Sequence, residues 1–314
     1  MAGRRYKCSN KKHLRIYDTN SLTNKIAEAA QVDETNRSSQ KIQNENNDKK
    51  EQNNNSETKD TVTKIPKKHR LLTTIILLIF IIAMLYTGMK IIDWLKENKH
   101  NNDLMKTLSD AISIDQNRKD IEKYSIDFEM LRQTNPDVVG WIKLSGTNIE
   151  YPVVQTTNNS FYMTHSFDKT YNSAGWVFVD YKNKLDGKDQ NIVIYAHNRK
   201  NGDMFGTLKN VLTPEWLDNQ DNFIIPFITE KEKAEYEVFS VYKIEEEEYY
   251  ITTSFATDTE YQKFIDTIKA RSVRNFGVEV STSDQILTLS SCASDNRFRI
   301  VVHAKKCTND IIDN

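Results

Sequence analysis

Residues that can carry acyl transfer through a cysteine lie in the C-terminal half of the sequence. Cys292 ends the apolar run "ILTLSSC", His197 ends "NIVIYAH", and Arg299 lies inside "FRIVVHA". Cysteine chemistry needs a thiolate, a partner that carries the proton and a group that stabilises the oxyanion. Cys292 and His197 each end a predicted strand beside a polar loop, which is typical of functional side chains. Position alone also fits a small, inert buried cysteine.

Several residues compete with these candidates. Arg297 and Arg299 are two apart, so strand alternation does not separate them. Arg299 lies deeper in the apolar run, where a charge is costly, and this is consistent with a specific role. An edge-strand charge that limits aggregation is the alternative. Among the histidines, His303 is typical of a satisfied core or edge residue, His165 of a surface loop and His100 of a helical stalk.

Composition excludes several classes of function. The formal net charge is -1 with 28% charged residues, so no nucleic-acid partner is expected. The three cysteines, Cys8, Cys292 and Cys307, form neither a disulfide framework nor a C-x-x-C metal pair. No nucleotide-binding loop or zinc signature occurs, and we expect no metal and no cofactor. The run "IEEEEYY" (244–250) is typical of a solvated acidic segment.

The N-terminal part is polar. Residues 1–70 contain few apolar side chains, and a segment of this kind cannot bury enough surface to offset its ordering entropy. We therefore predict a disordered cytoplasmic arm over 1–70, disordered above all at 30–66. The stretch "SLTNKIAEAAQV" (21–32) could form a short helix.

An uncharged run, "LLTTIILLIFIIAMLYTGM" (71–89), follows the arm. It approaches the ~20 residues that cross a bilayer's hydrocarbon core, and it is apolar on every face, unlike a core helix. We predict one transmembrane helix at 71–92. The basic "KKHR" (67–70) at its start favours a cytoplasmic N-terminus, with residues 90–314 outside the cell.

The remainder divides into a helical and a strand-rich region. Scattered apolar positions predict a helical stalk and N-terminal helices at 93–134. The catalytic region, 135–307, contains eight short runs rich in β-branched and aromatic residues, which predict a closed or nearly closed β-barrel. Two helices interrupt the strands, at 213–221 and at 258–271, and 308–314 form a tail. The strand runs are "GWIKL", "IEYPVVQ", "GWVFVDY", "NIVIYAH", "NFIIPFI", "YEVFSVYKI", "ILTLSS" and "FRIVVHA".

Four motifs occur in the order found in class B sortases. "TLSSC" (288–292) followed by Arg299 resembles the sortase T-L-x-T-C…R signature, with Ser291 in place of the usual Thr. "NIVIYAHNRKNGDMFGTLKN" (191–210) resembles the histidine motif, and the segments 135–163 and 175–183 also resemble class B. The resemblance covers about residues 110–306, and the 258–271 helix lies where this class inserts one.

The resemblance implies a membrane-anchored cysteine transpeptidase. Cys292 would attack the Thr carbonyl of a C-terminal sorting signal of the NPxTx kind on a surface protein. His197 would protonate the leaving amine and then activate the incoming amine, and Arg299 would hold the substrate and stabilise the oxyanion. The acceptor would be an amine of a peptidoglycan precursor or of a pilin. The same match implies four substrate-binding residues: Asn159, Tyr250, Ile251 and Ser290.

Two other functions stay open at this point. A cysteine hydrolase on the same barrel would share Cys292 and His197, and a membrane-anchored binding module would need neither. Two features depart from the expected pattern. Only six residues separate Cys292 from Arg299, and the arm of residues 1–70 is long for this class.

Overall fold

The computed structural model describes residues 67–292 and 297–307. Two compact units share this part of the chain: one ends at Met89 and the other begins at Lys90. The predicted disorder at 30–66, the short helix at 21–32 and the tail at 308–314 lie outside the described residues.

A long helix, α1 (Lys67–Ser109), opens the described chain. Its stretch from Leu71 is long and apolar enough to cross a membrane, and the large apolar side chains of its first turns are exposed. An α-helix rises about 1.5 Å per residue, so ~20 residues match the thickness of a hydrocarbon core and α1 is longer than that. The helix runs without a break past residue 92.

The region at 93–134 is not helical throughout, and the prediction is wrong between α1 and α2 (Phe128–Thr134). An antiparallel ribbon lies there, formed by β1 (Ile112–Ile114) and β2 (Tyr124–Ile126). Each strand has three residues, too few to show the alternation by which strands are predicted. The side chain of Asp127 then caps α2 by accepting from the Met130 N–H at 2.9 Å.

Eight strands close into a barrel, which confirms the predicted fold. Around the barrel the order is β10-β8-β7-β3-β4-β5-β6-β9, and β9 pairs with β10. The strand predicted at 175–181 is shorter in the structure. The barrel strands are β3 (Val138–Leu144), β4 (Ile149–Val154), β5 (Phe178–Val179), β6 (Asn191–Ala196), β7 (Ile224–Ile228), β8 (Lys233–Glu245), β9 (Ile286–Cys292) and β10 (Phe298–Lys306).

The barrel strands are buried on both faces at several points. Neighbouring residues Trp141 and Ile142 of β3 face opposite sides, yet both are fully buried. The ring of Tyr124, from β2, lies 5.0 Å from that of Trp141, so the ribbon covers β3 from outside. This explains why the strand runs read as almost continuously apolar.

Two helices lie between barrel strands, as predicted, but the first is shorter than the predicted 213–221. Thr213 caps α3 (Pro214–Leu217), with Pro214 in the first turn. The longer α4 (Asp258–Ala270) buries the stripe expected from its spacing and packs on the outside of the barrel. Burial of side chains of this size contributes about 1.5–3 kcal/mol each. The stripe residues are Tyr261, Phe264, Ile265 and Ile268.

Short 3-10 helices complete the described elements: Ile121–Lys123, Phe161–Met163, Leu208–Leu212, Gln220–Phe223 and Tyr249–Ile251. The second and the last of these contribute to the site described next.

Candidate active site

The parallel pair of β6 and β9 brings two of the predicted catalytic positions together. Ala196 of β6 is the Cα partner of Ser291 of β9. His197 follows the first and Cys292 follows the second, so both lie at the same edge of the barrel. Paired strands run about 4.8 Å apart, which makes the two backbone positions neighbours.

The antiparallel pair of β9 and β10 adds the third position. Arg299 is the Cα partner of Cys292, and such partners lie about 5 Å apart. Arg297 precedes β10 and is exposed, whereas the Arg299 side chain is only 15% exposed. The pairing thus separates two arginines that strand alternation could not.

A glutamate on the neighbouring strand end holds the guanidinium of Arg299. Arg299 Nη2 donates to Glu246 Oε1 at 2.6 Å, and the Glu246 N–H donates to the Arg297 carbonyl at 3.1 Å. Glu246 follows directly on β8. The sequence suggested only a solvated acidic run here, and nothing in the sequence pattern points to this pair.

The imidazole of His197 is half-buried and has a defined partner. Its Nε2 lies 2.8 Å from the carbonyl oxygen of Met163. A carbonyl only accepts, so Nε2 carries the hydrogen in this contact. In the neutral ring, Nδ1 is then the basic nitrogen, and in the charged ring it is the nitrogen left to give a proton.

Two of the predicted substrate-binding residues contact each other. The Tyr250 hydroxyl lies 3.1 Å from Ser290 Oγ, and both side chains are almost fully buried. Tyr250 belongs to the 3-10 helix Tyr249–Ile251, and Ser290 lies two residues before Cys292 on β9. Ile251 is half-buried against the cluster that α4 forms on the barrel.

The fourth predicted residue, Asn159, contacts a different group. Its Nδ2 donates to Asp180 Oδ2 at 2.9 Å, and its Oδ1 accepts from the Tyr181 N–H at 3.0 Å. Asp180 is buried and accepts from the Tyr195 hydroxyl at 2.9 Å. Burial, and then the Asp180 carboxylate, raise the pKa of Tyr195 above its usual range. Asp180 ends the run "GWVFVD", but no sequence pattern predicted its contacts with Asn159 and Tyr195.

The other histidines lie elsewhere. His303 is fully buried, with Nε2 at 2.8 Å from the Tyr242 hydroxyl and Nδ1 at 2.8 Å from Thr288 Oγ1. Burial lowers its pKa to about 3, as expected for a structural histidine. His165 stacks on Phe161, and His100 pairs with Asp168.

A cavity of about 310 Å³ lies at the opposite end of the two site strands. Ile192, near the start of β6, and Gln285, just before β9, line it. Its position separates it from the edge at which β6 and β9 end. Among the described residues, no three His, Cys, Asp or Glu side chains converge as metal ligands would.

Comparison with known proteins places this barrel in one family. The sortase domain matches residues 142–307. Sortase B of Staphylococcus aureus is 34% identical over 242 residues, which cover 76% of this chain and 98% of that protein. A Bacillus anthracis protein similar to sortase B matches in its crystal structure with a TM-score of 0.58 at 33% identity, over 69% of this chain and 99% of that one.

A further crystal structure, of a sortase B complexed with Gly3, has a TM-score of 0.57 and 33% identity, over 67% of this chain and 97% of that one. Fold and sequence together define a sortase-domain protein. The chain belongs to the sortase B family, and it is a cysteine transpeptidase. The class expected from the sequence motifs is therefore confirmed.

Proposed function

We propose that this transpeptidase is anchored in the cell membrane and cleaves an NPxTx-like sorting signal after its Thr, with Cys292, His197 and Arg299 as the catalytic residues. The cleaved surface protein is then joined to an amine of the cell-wall peptide. The acyl-enzyme is a thioester on Cys292.

The chemistry needs one nucleophile and one proton carrier used twice. The Cys292 thiolate attacks the Thr carbonyl carbon, and the C–S bond forms as the peptide C–N bond breaks. His197 gives its proton to the leaving amine. An acceptor amine next attacks the thioester, its proton passes to His197, and the thiolate leaves. Arg299 stabilises the charge on the carbonyl oxygen in both steps.

The strand register is the observation that carries this proposal. Cys292 and Arg299 are cross-strand partners, and His197 follows the residue that pairs with Ser291. The backbone positions of Cys292, His197 and Arg299 are therefore neighbours at one barrel edge, which supports a shared catalytic role. Effective catalysis needs groups held in this way, since orientation alone can supply much of the barrier reduction.

The acceptor and the membrane orientation rest on separate arguments. The Gly3 bound to a sortase B of known structure is a short peptide with a free amine, which supports an amine acceptor here. The apolar helix supports a membrane anchor. The basic residues at 67–70 favour a cytoplasmic N-terminus, which puts the catalytic barrel outside the cell, where sorting signals and cell-wall amines meet. Protease treatment of intact cells, which should cleave the barrel, tests that orientation.

The decisive experiment is a peptide assay on the full chain in detergent micelles. A library of NPxTx-like peptides is cleaved with and without triglycine, and the products are identified by mass spectrometry. Amine incorporation supports transpeptidation of this signal. Cleavage that never incorporates the amine points to the hydrolase. Peptide binding without cleavage, equal in wild type and Cys292→Ala, points to the binding module.

A further inference from the structure

One turn of α1 contacts both segments that flank His197. We call residues 97–101 the docking turn. It lies in the same compact unit as the barrel and binds two loops, at 164–174 and at 197–206. No role in the reaction follows from its sequence, which reads as a polar stretch of helix.

Asn101 forms the centre of the contact with the first loop. Its side chain is 3% exposed, and its Oδ1 accepts from Ser166 Oγ at 2.6 Å and from Asn172 Nδ2 at 3.0 Å. Ser166 and Asn172 are themselves fully buried. Buried hydrogen bonds of this kind fix geometry, because each donor that loses its partner would pay the full desolvation penalty.

The periphery of the docking turn adds charged contacts to the same loop. The Glu97 carboxylate accepts from the Ser173 N–H at 3.2 Å. His100 Nε2 lies 2.9 Å from the Asp168 carboxylate. The first loop is thus held near both of its ends.

The second loop is held through Asn98. Asn98 Oδ1 accepts from Arg199 Nη2 at 2.9 Å, and Arg199 lies two residues after His197. One helix turn therefore contacts the chain just beyond the histidine as well as the loop on its other side.

The first loop starts at the atom that holds the imidazole. Met163, whose carbonyl accepts from His197 Nε2, directly precedes the loop. The Asn172 N–H donates to the Thr164 carbonyl at 2.9 Å, which closes the loop back onto that point. The loop is therefore linked by covalent bonds and by this hydrogen bond to the residue that follows the acceptor of His197.

We infer that Asn101 and Asn98 are positioning residues for His197: Asn101 holds the loop that follows Met163, whose carbonyl accepts from the imidazole, and Asn98 holds Arg199, two residues after the histidine. This inference rests on the proposed catalytic role of His197. The helix that provides the anchor thus also supplies part of the support of the active site.

The test compares single variants of the full chain in detergent micelles. Asn101→Leu removes the acceptor of two buried donors, and kcat should fall about 10- to 100-fold with KM within about twofold, the scale of a misplaced catalytic group. Asn101→Asp keeps an acceptor oxygen for both donors but places a carboxylate oxygen where Nδ2 has no hydrogen-bond partner among the described residues, so kcat should fall less than in Asn101→Leu. Asn102→Leu, the same change at the exposed next residue, should have no effect.

A spectroscopic readout separates positioning from general damage. In protein with labelled histidines, the ring signals of His197, assigned with His197→Ala, should shift or broaden in Asn101→Leu and stay unchanged in Asn102→Leu. Asn98→Ala, at a half-buried position, should give a smaller change of the same kind, and it decides the question if Asn101→Leu does not fold.

The inference would be overturned by a folded Asn101→Leu protein with normal kcat and unchanged His197 signals. Equal losses of kcat in Asn101→Leu and Asn102→Leu would also overturn it. If Asn101→Leu does not fold, an Asn98→Ala protein with unchanged kcat and unchanged His197 signals would do so. Full activity of His197→Ala would instead refute the proposed function. Even then, the His197 ring signals of Asn101→Leu compared with those of the wild type would report whether the docking turn holds His197.

Discussion

The buried His303 should make the stability of the barrel fall in mild acid. Phe239 of β8 and Phe264 of α4 face its ring, and no carboxylate is within its hydrogen-bond contacts. Thr288 Oγ1 donates its hydrogen to Asn191 Oδ1 at 2.6 Å, so the same oxygen accepts from the Nδ1–H of His303. The other ring nitrogen, Nε2, then accepts from the Tyr242 hydroxyl. Both ring nitrogens are satisfied in the neutral form.

The magnitude follows from the two pKa values. Burial lowers the pKa of folded His303 from 6.5 to about 3, so between these values the unfolded state binds the extra proton. Stability is therefore lost as the pH falls through this window. Each pH unit well inside it costs about 1.4 kcal/mol, which gives a loss of about 2 kcal/mol between about pH 7.5 and pH 5.

Urea unfolding followed by tryptophan fluorescence at the two pH values measures this loss. His303→Gln cannot take up the proton, so its free energy of unfolding should fall about 2 kcal/mol less than that of the wild type. Val302→Ala, a neighbouring buried position, controls for destabilisation as such and should keep the wild-type pH dependence. If wild type and His303→Gln lose the same free energy over this range, the reasoning is refuted.

Two further predictions concern contacts near the site. Glu246→Gln removes the charge beside Arg299 and should lower kcat/KM by up to about fivefold, the scale of a partly exposed ion pair. Steady-state kinetics checks this against Glu248→Gln, which should match wild type. Gly175→Ala should cost about 2–5 kcal/mol in denaturant unfolding, because a Cβ at φ +60° would also meet the backbone carbonyls of the preceding 3-10 helix. Gly187 has φ +83°, but a Cβ there would meet no described atom within 4 Å, so Gly187→Ala should lower the free energy of unfolding by only about 1–2 kcal/mol. Equal losses of stability in Gly175→Ala and Gly187→Ala would contradict the argument.

Most of the barrel could be predicted because its strands, apart from the two-residue β5, are long enough to show their pattern. Runs such as "NIVIYA" and "ILTLSSC" combine β-branched residues with polar turns at both ends, and they form β6 and β9. The β1–β2 ribbon could not be predicted, because a strand of three residues is too short to show the alternation of apolar and polar side chains. Helix α4 was visible because its apolar spacing follows one helical face.

Site contacts that depend on pairing between distant segments left no signal in the sequence. Glu246 and Arg299 are 53 residues apart, and His197 and Met163 are 34 apart. Neither pair has a local spacing that predicts contact. The Met163 contact is made by a backbone carbonyl, which every residue type carries, so no residue choice could reveal it.

The parallel direction of β6 and β9 is the feature of the fold on which the site depends. With this direction, the residues that follow both strands lie at one barrel edge. An antiparallel pairing of the same strands would put His197 at the opposite end of β9 from Cys292, about 20 Å away for a six-residue strand. Parallel neighbours need a long crossover connection, and here that connection contains β7, β8 and α4. The wide sequence separation of His197 and Cys292 is therefore a consequence of the topology that makes them neighbours, and β10, returning antiparallel, adds Arg299 at the same edge.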